Sequence, residues 1–139
     1  MMSMVHDNII KSYIVDFDVE ILTIKTLYHT DKTIEKTDVI FTGYLAHTFD
    51  YEMKNSIIFD IEEYPINLFF EHKREQLKES KKYAWPIFYK DENELVKFFE
   101  VHKYKIFEVS SSLGLCGWIF AKQMDIVVDK QSPSKHNSV

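Results

Sequence analysis

From Tyr13 to Glu20 the chain alternates. Tyr13, Val15, Phe17 and Val19 are apolar, with Asp16, Asp18 and Glu20 between them. A period of two fits a strand with one face on a core and one in water, and a helix cannot use it. The parity then slips: Leu22, Ile24 and Tyr28 carry on in the other register. That slip predicts a bulge or a very tight turn near Glu20 and Ile21. Val39, Phe41, Leu45 and Phe49 share one parity, which predicts a long strand over Asp38–Phe49 with Gly43 marking a bulge. Ile57, Phe59 and Ile61 form the next apolar face. Four such stretches at short spacing read as an antiparallel meander.

The period changes after Pro65. Ile66, Phe69, Phe70, Lys73 and Leu77 recur at helical spacing, which predicts one helix from about Pro65 to Ser80. Asp91 with Glu94 resembles a capping box ahead of Leu95, Val96 and Phe99, so a second helix is expected near 92–103. Two β-rich runs follow, Tyr104–Ser110 and Leu115–Val128. Strands, then helices, then strands imply an α+β fold: a mainly antiparallel sheet with two helices packed on one face through Phe69, Phe70, Leu95 and Phe99. The expected organisation is a flexible lead-in over 1–12, a single domain over 13–128 and a disordered tail over 129–139.

Composition narrows the function classes. The chain has 139 residues and 45% hydrophobic residues, enough for a core without staples. One cysteine cannot form an intramolecular disulfide. The N-terminus shows no basic region followed by a long apolar run, and no segment approaches the ~20 apolar residues of a membrane helix, so a cytoplasmic location is expected. Net charge is −5, and Arg74 is the only arginine among the seventeen Lys and Arg residues. Both facts argue against nucleic-acid recognition, which relies on basic patches and bidentate arginines.

The segment Ser110-Ser111-Ser112-Leu113-Gly114-Leu115-Cys116-Gly117-Trp118 holds two of the three glycines and the only cysteine. It reads as a hairpin turn at Ser111–Gly114 or as a surface that something approaches closely. One enzymatic reading makes His47 a base for Ser111, Ser112 or Cys116, oriented by Asp60, as in a small hydrolase or ligand-binding enzyme. The surrounding motif context is missing: there is no G-x-S-x-G elbow, and no G-x-x-x-x-G-K phosphate loop. Histidines are scattered, and no cofactor or metal is expected.

Between Asp50 and Tyr64 the charge is one-sided. Asp50, Glu52, Asp60, Glu62 and Glu63 stand against Lys54, with Tyr51 and Tyr64 beside them. Acids with neighbouring tyrosines suit a contact surface for a basic protein partner; the alternative is an ordinary solvated face.

The runs Asn55–Tyr64 and Ser110–Lys122 resemble small uncharacterised proteins of Bacillus-type bacteria, some of which resemble immunity proteins encoded beside secreted or contact-delivered toxins. The resemblance spans most of residues 13–128 and carries no catalytic residue. It implies a non-enzymatic inhibitor that neutralises one toxin by tight binding, for which a basic toxin domain is the expected partner.

Overall fold

Why the strand pattern breaks where it does is clearest at Gly43. The computed structural model describes residues 4–131. Its eight strands are β1 (Ile9–Asp16), β2 (Ile21–His29), β3 (Ile34–Thr42), β4 (Ala46–Asp50), β5 (Ile57–Tyr64), β6 (Lys105–Leu113), β7 (Cys116–Ala121) and β8 (Gln123–Gln131). The expected strand over Asp38–Phe49 is therefore two strands. Gly43, at φ +64, turns the chain between them, and a Cβ there would lie 2.7 Å from the Lys122 side chain.

All recorded pairings are antiparallel, in the order β4-β7-β6-β5-β1-β2-β3-β8. β3 and β4 are consecutive but lie near opposite ends of that order, as do β7 and β8. Both pairs are bent halves of one long ribbon. Thr42 is opposite Gln123 and Ala46 is opposite Phe120. Across the bend Lys122 N donates to Thr42 O at 2.9 Å and Leu45 N donates to Phe120 O at 2.8 Å. The ribbon thus links the two ends of the sheet, which curls into a barrel, and strands that bend to change partners are how such corners are made.

Two cores result. The barrel interior holds Val5, Leu22, Ile24, Val39, Phe41, Ile58, Phe107, Val109 and Ile119 among others. Phe41 of β3 meets Phe107 of β6 edge to face, with centroids 5.3 Å apart, although β5, β1 and β2 stand between them in the strand order. Outside the barrel, α1 (Ile66–His72), α2 (Arg74–Ser80) and α3 (Glu92–Val101) cover part of β4, β7 and β6. Phe69, Phe70, Leu77, Leu95 and Phe99 bury against Ile106 and Phe120 there. Each such ring removes enough apolar surface to contribute about 1.5–3 kcal/mol.

The fold is α+β with a mainly antiparallel sheet, and it has three helices instead of two. The expected Pro65–Ser80 helix breaks at Lys73, whose backbone leaves the helical region at φ −112, ψ 18. Asp91 caps α3 by accepting from Glu94 N at 2.9 Å. Arg74 binds Glu92 through two hydrogen bonds, at 2.7 and 3.0 Å, and ties α2 to the start of α3.

Other expectations need correction. Residues 4–12 are not a flexible lead-in. Val5 is fully buried, Asp7 N donates to Ile58 O at 2.8 Å, and β1 starts at Ile9. β8 runs to Gln131, so the first part of the expected tail is paired to β3; 132–139 lie outside the described residues, as do 1–3. Phe17 and Val19 are 74% and 60% exposed, because β1 ends at Asp16 and a tight turn carries them. Glu20, at φ 58, closes that turn, and this is what reverses the parity. Phe59 does not share the apolar face of Ile57 and Ile61. The β5–β6 register shifts between Ile58 and Asp60, which turns Phe59 outward and buries Ile58. No helix among the described residues is long and apolar enough to cross a membrane.

Candidate functional site

Alternation along β4, β5, β6 and β7 divides their side chains between the two cores. Ile61, Phe107, Val109 and Ile119 point into the barrel, so their neighbours in sequence point outward. Tyr64, Ile106, Phe120 and Ala46 make one outward row, and it lies under the helices. The next row is Glu62, Glu108, Trp118 and Thr48. One step further, Asp60 is opposite Ser110 and Asp50 is opposite Cys116; the β6–β7 ladder, continued past Val109 and Gly117, sets Ser110 beside Cys116. Strands are about 4.8 Å apart, so these rows bring carboxylates from three strands onto one outer face.

The acids predicted from sequence therefore separate. Asp50, Asp60, Glu62 and Tyr64 share this face. Glu63 does not: it is opposite Phe107, on the other side of the sheet, with Lys105 Nζ 3.9 Å away. Glu52 also points elsewhere, accepting a hydrogen bond from the Tyr13 hydroxyl. Tyr51 is 79% exposed in the turn after β4, at φ 60. Tyr64 packs edge to face on Trp118 at 5.0 Å and meets His72 Nδ1 at 3.2 Å. Sequence reading missed Glu108 and Trp118. Ile106 and Phe107 are both apolar, which hides the parity of β6, and Trp118 reads as core because Phe120 does.

Electrostatics distinguishes the members of the face. Burial, then the facing Glu62, raises the Glu108 carboxyl above its ordinary range, and Lys73 partly opposes this. The Cys116 thiol is also raised, first by burial and then by Asp50 and Glu108. A thiol held protonated is a poor nucleophile. Lys73 Nζ sits 5.7 Å from the centroid of the Trp118 ring.

Beside Trp118 the sheet and helices leave a cleft of about 420 Å³. Phe69, Trp118, Trp85 and Tyr83 give it aromatic walls. Thr48 and Asp50 reach it from β4, Lys73 from the break between α1 and α2, and Gln76 from α2.

The nucleophile–base–acid arrangement is not assembled. His47 borders the cleft, but its Nδ1 is engaged by the Tyr44 hydroxyl at 2.7 Å, and its ring packs on Phe49 and Tyr13. By parity His47 and Cys116 are on opposite faces of the sheet, and Asp60 is three strands away. The Ser111 hydroxyl is bound to Leu115 O inside the hairpin, and Ser112 is exposed at the end of β6. Burial lowers the His47 pKa from 6.5, against a smaller opposing effect of Glu52. The Tyr13 hydroxyl is pushed up to about 12, chiefly by its hydrogen bond to Glu52.

The two glycines of the segment serve the fold. Gly114, at φ +83, makes the β6–β7 turn. Gly117 lets the β4 backbone approach, since a Cβ there would lie 2.0 Å from Thr48 O. Among the described residues no group of three or more His, Cys, Asp or Glu side chains is placed to hold a metal ion. Comparison with family models, with curated proteins and with solved structures finds no match to this chain.

Proposed function

We propose that the protein is a non-enzymatic interaction domain that binds a basic protein partner through the outer face of β5, β6, β7 and β4, in the manner of an immunity protein neutralising a basic toxin domain. The observation that supports this is the gathering of Asp50, Asp60, Glu62 and Glu108 into two adjacent rows beside Trp118 and Tyr64. Carboxylates around aromatic anchors suit a lysine- or arginine-rich surface, with the aromatics supplying contact area and the charges steering the encounter.

The test starts from the partner captured by pull-down and follows its association across a salt series. Reversing Asp60 and Glu62 to lysine should slow association and flatten its salt dependence. Glu63→Lys, on the other side of the sheet, should do neither beyond its effect on net charge. An on-rate that ignores both salt and the Asp60/Glu62 reversal overturns the proposal.

A further inference from the structure

We infer that the cleft beside Trp118 is the seat of one arginine side chain of the partner, and that Lys73 occupies its cation position in the free protein. The inference rests on the proposed basic partner and adds which of the partner's residues is the anchor.

The cleft decides the shape of the occupant. A volume of about 420 Å³ between aromatic walls has room for one long side chain entering from a partner's surface. Trp118 has a cation against its ring already: Lys73 Nζ at 5.7 Å from the centroid. Indole is the best of the aromatic faces for this contact. The chain itself thus shows what the ring attracts.

The charges decide the chemistry. Asp50 lines the cleft from β4, and Glu108 is directly across the ladder from Trp118. Glu62 is next to Glu108 in the same row. Lys73 acts on Glu108 and shares the cleft with Asp50, so its single ammonium faces two carboxylates. A guanidinium fits this setting better than a second ammonium. It is planar, so it can stack on the indole, and its fork of N–H donors can reach the Asp50 carboxylate while stacked. A lysine would bring a compact, strongly hydrated charge and no stacking plane. Seating the arginine requires Lys73 to swing off the ring, so the two cations compete.

The probe is the capped tripeptide acetyl-Gly-Arg-Gly-amide, with lysine and citrulline versions as controls. The readout is the indole N–H signal of Trp118 in a heteronuclear NMR spectrum of the full chain. The protein has two tryptophans, and Trp118→Phe assigns which signal is which. The arginine peptide should shift the Trp118 signal to saturation, the lysine peptide should bind more weakly, and neutral citrulline should give no saturable shift. Lys73→Met keeps the aliphatic stem and removes the competitor, so it should tighten the arginine peptide roughly two- to five-fold. Asp50→Asn should weaken it. Equal shifts from arginine and citrulline, or an arginine affinity unmoved by Lys73→Met, overturn the inference. If the peptides fail while partner association keeps its dependence on Asp60 and Glu62, only this inference falls. If the arginine peptide binds while partner association ignores that face, the cleft assignment stands and the proposed docking face falls.

Discussion

The Ser56 hydroxyl accepts a hydrogen bond from Leu115 N at 2.9 Å, joining residues 59 positions apart in sequence. The same oxygen donates to Met53 O at 2.7 Å. One buried side chain thereby fixes the loop before β5 against the β6–β7 turn, and both flank the acidic face. Gly114 is part of this arrangement, because a Cβ there would come within 2.2 Å of the Ser56 Oγ.

Ser56→Ala leaves the buried Leu115 N–H without that acceptor. The expected loss is about 1–3 kcal/mol, the desolvation cost of an orphaned buried donor. Urea denaturation measures it. Ser112→Ala, at an exposed position of the same hairpin, should stay within about 0.5 kcal/mol of the parent. Equal effects of the two substitutions would show that the Ser56 link carries no special weight.

Thr37 presents the opposite case. It is fully buried in β3, and its hydroxyl is the one buried side-chain polar atom among the described residues that lacks a hydrogen-bond partner. Next to it the polar groups are satisfied: Asn8 Nδ2 donates to Thr26 Oγ1 at 2.9 Å, and Thr26 Oγ1 donates to Thr37 O at 2.7 Å. Thr37→Val replaces the unpaired hydroxyl with a methyl of similar size. It should stabilise the protein by about 1 kcal/mol, since desolvating an unpaired hydroxyl costs at least that. A lower denaturation midpoint for Thr37→Val would mean that the hydroxyl has a partner, such as a bound water.

Much of this fold is legible from periodicity, and its failures have particular causes. The alternation of β2 and the capping of α3 by Asp91 carry the information locally. The barrel closure does not, because it depends on Thr42 pairing with Gln123 while Ala46 pairs with Phe120, and no short window contains that. Phe17 and Val19 alternate correctly yet fall in a turn, where period two no longer reports burial. For the candidate face, linear clustering around Asp50–Tyr64 found three acids and one tyrosine that share a surface. It also gathered Glu52, which the turn after β4 carries to the Tyr13 hydroxyl, and Glu63, which the pleat of β5 sends to the other side. Glu108 and Trp118 are remote in sequence and enter only through strand pairing.

His47 gives the stability curve a defined slope. Its pKa in the folded protein is below the ordinary 6.5, first because of burial. When both states are neutral, above 6.5, the group has no effect on the equilibrium. As pH falls through 6.5 the unfolded chain takes up the proton first, so stability declines until the folded pKa is passed and then levels off. His47→Asn should remove that part of the slope. The check is a series of denaturation midpoints for both proteins from neutral pH downward. Parallel curves would show that His47 titrates alike in both states.

Glu108 ties stability to the proposed binding. Burial and the facing Glu62 raise its carboxyl above the ordinary 4.5. For an acid raised in the folded state, the unfolded chain loses its proton first as pH climbs through 4.5, so Glu108 subtracts stability from there to neutrality. Glu108→Gln keeps the shape and removes the charge. It should raise stability at neutral pH by no more than about 1 kcal/mol, because the group is only half-buried and solvent screens it. Well below 4.5 both proteins carry an uncharged side chain, and the gain should vanish. The same substitution removes one carboxylate from the docking face, so association with a basic partner should slow, most visibly at low salt. Paired measurements of midpoint and on-rate check this trade. A gain that persists at acid pH would trace to packing instead of charge, and an unchanged on-rate would take Glu108 out of the contact surface.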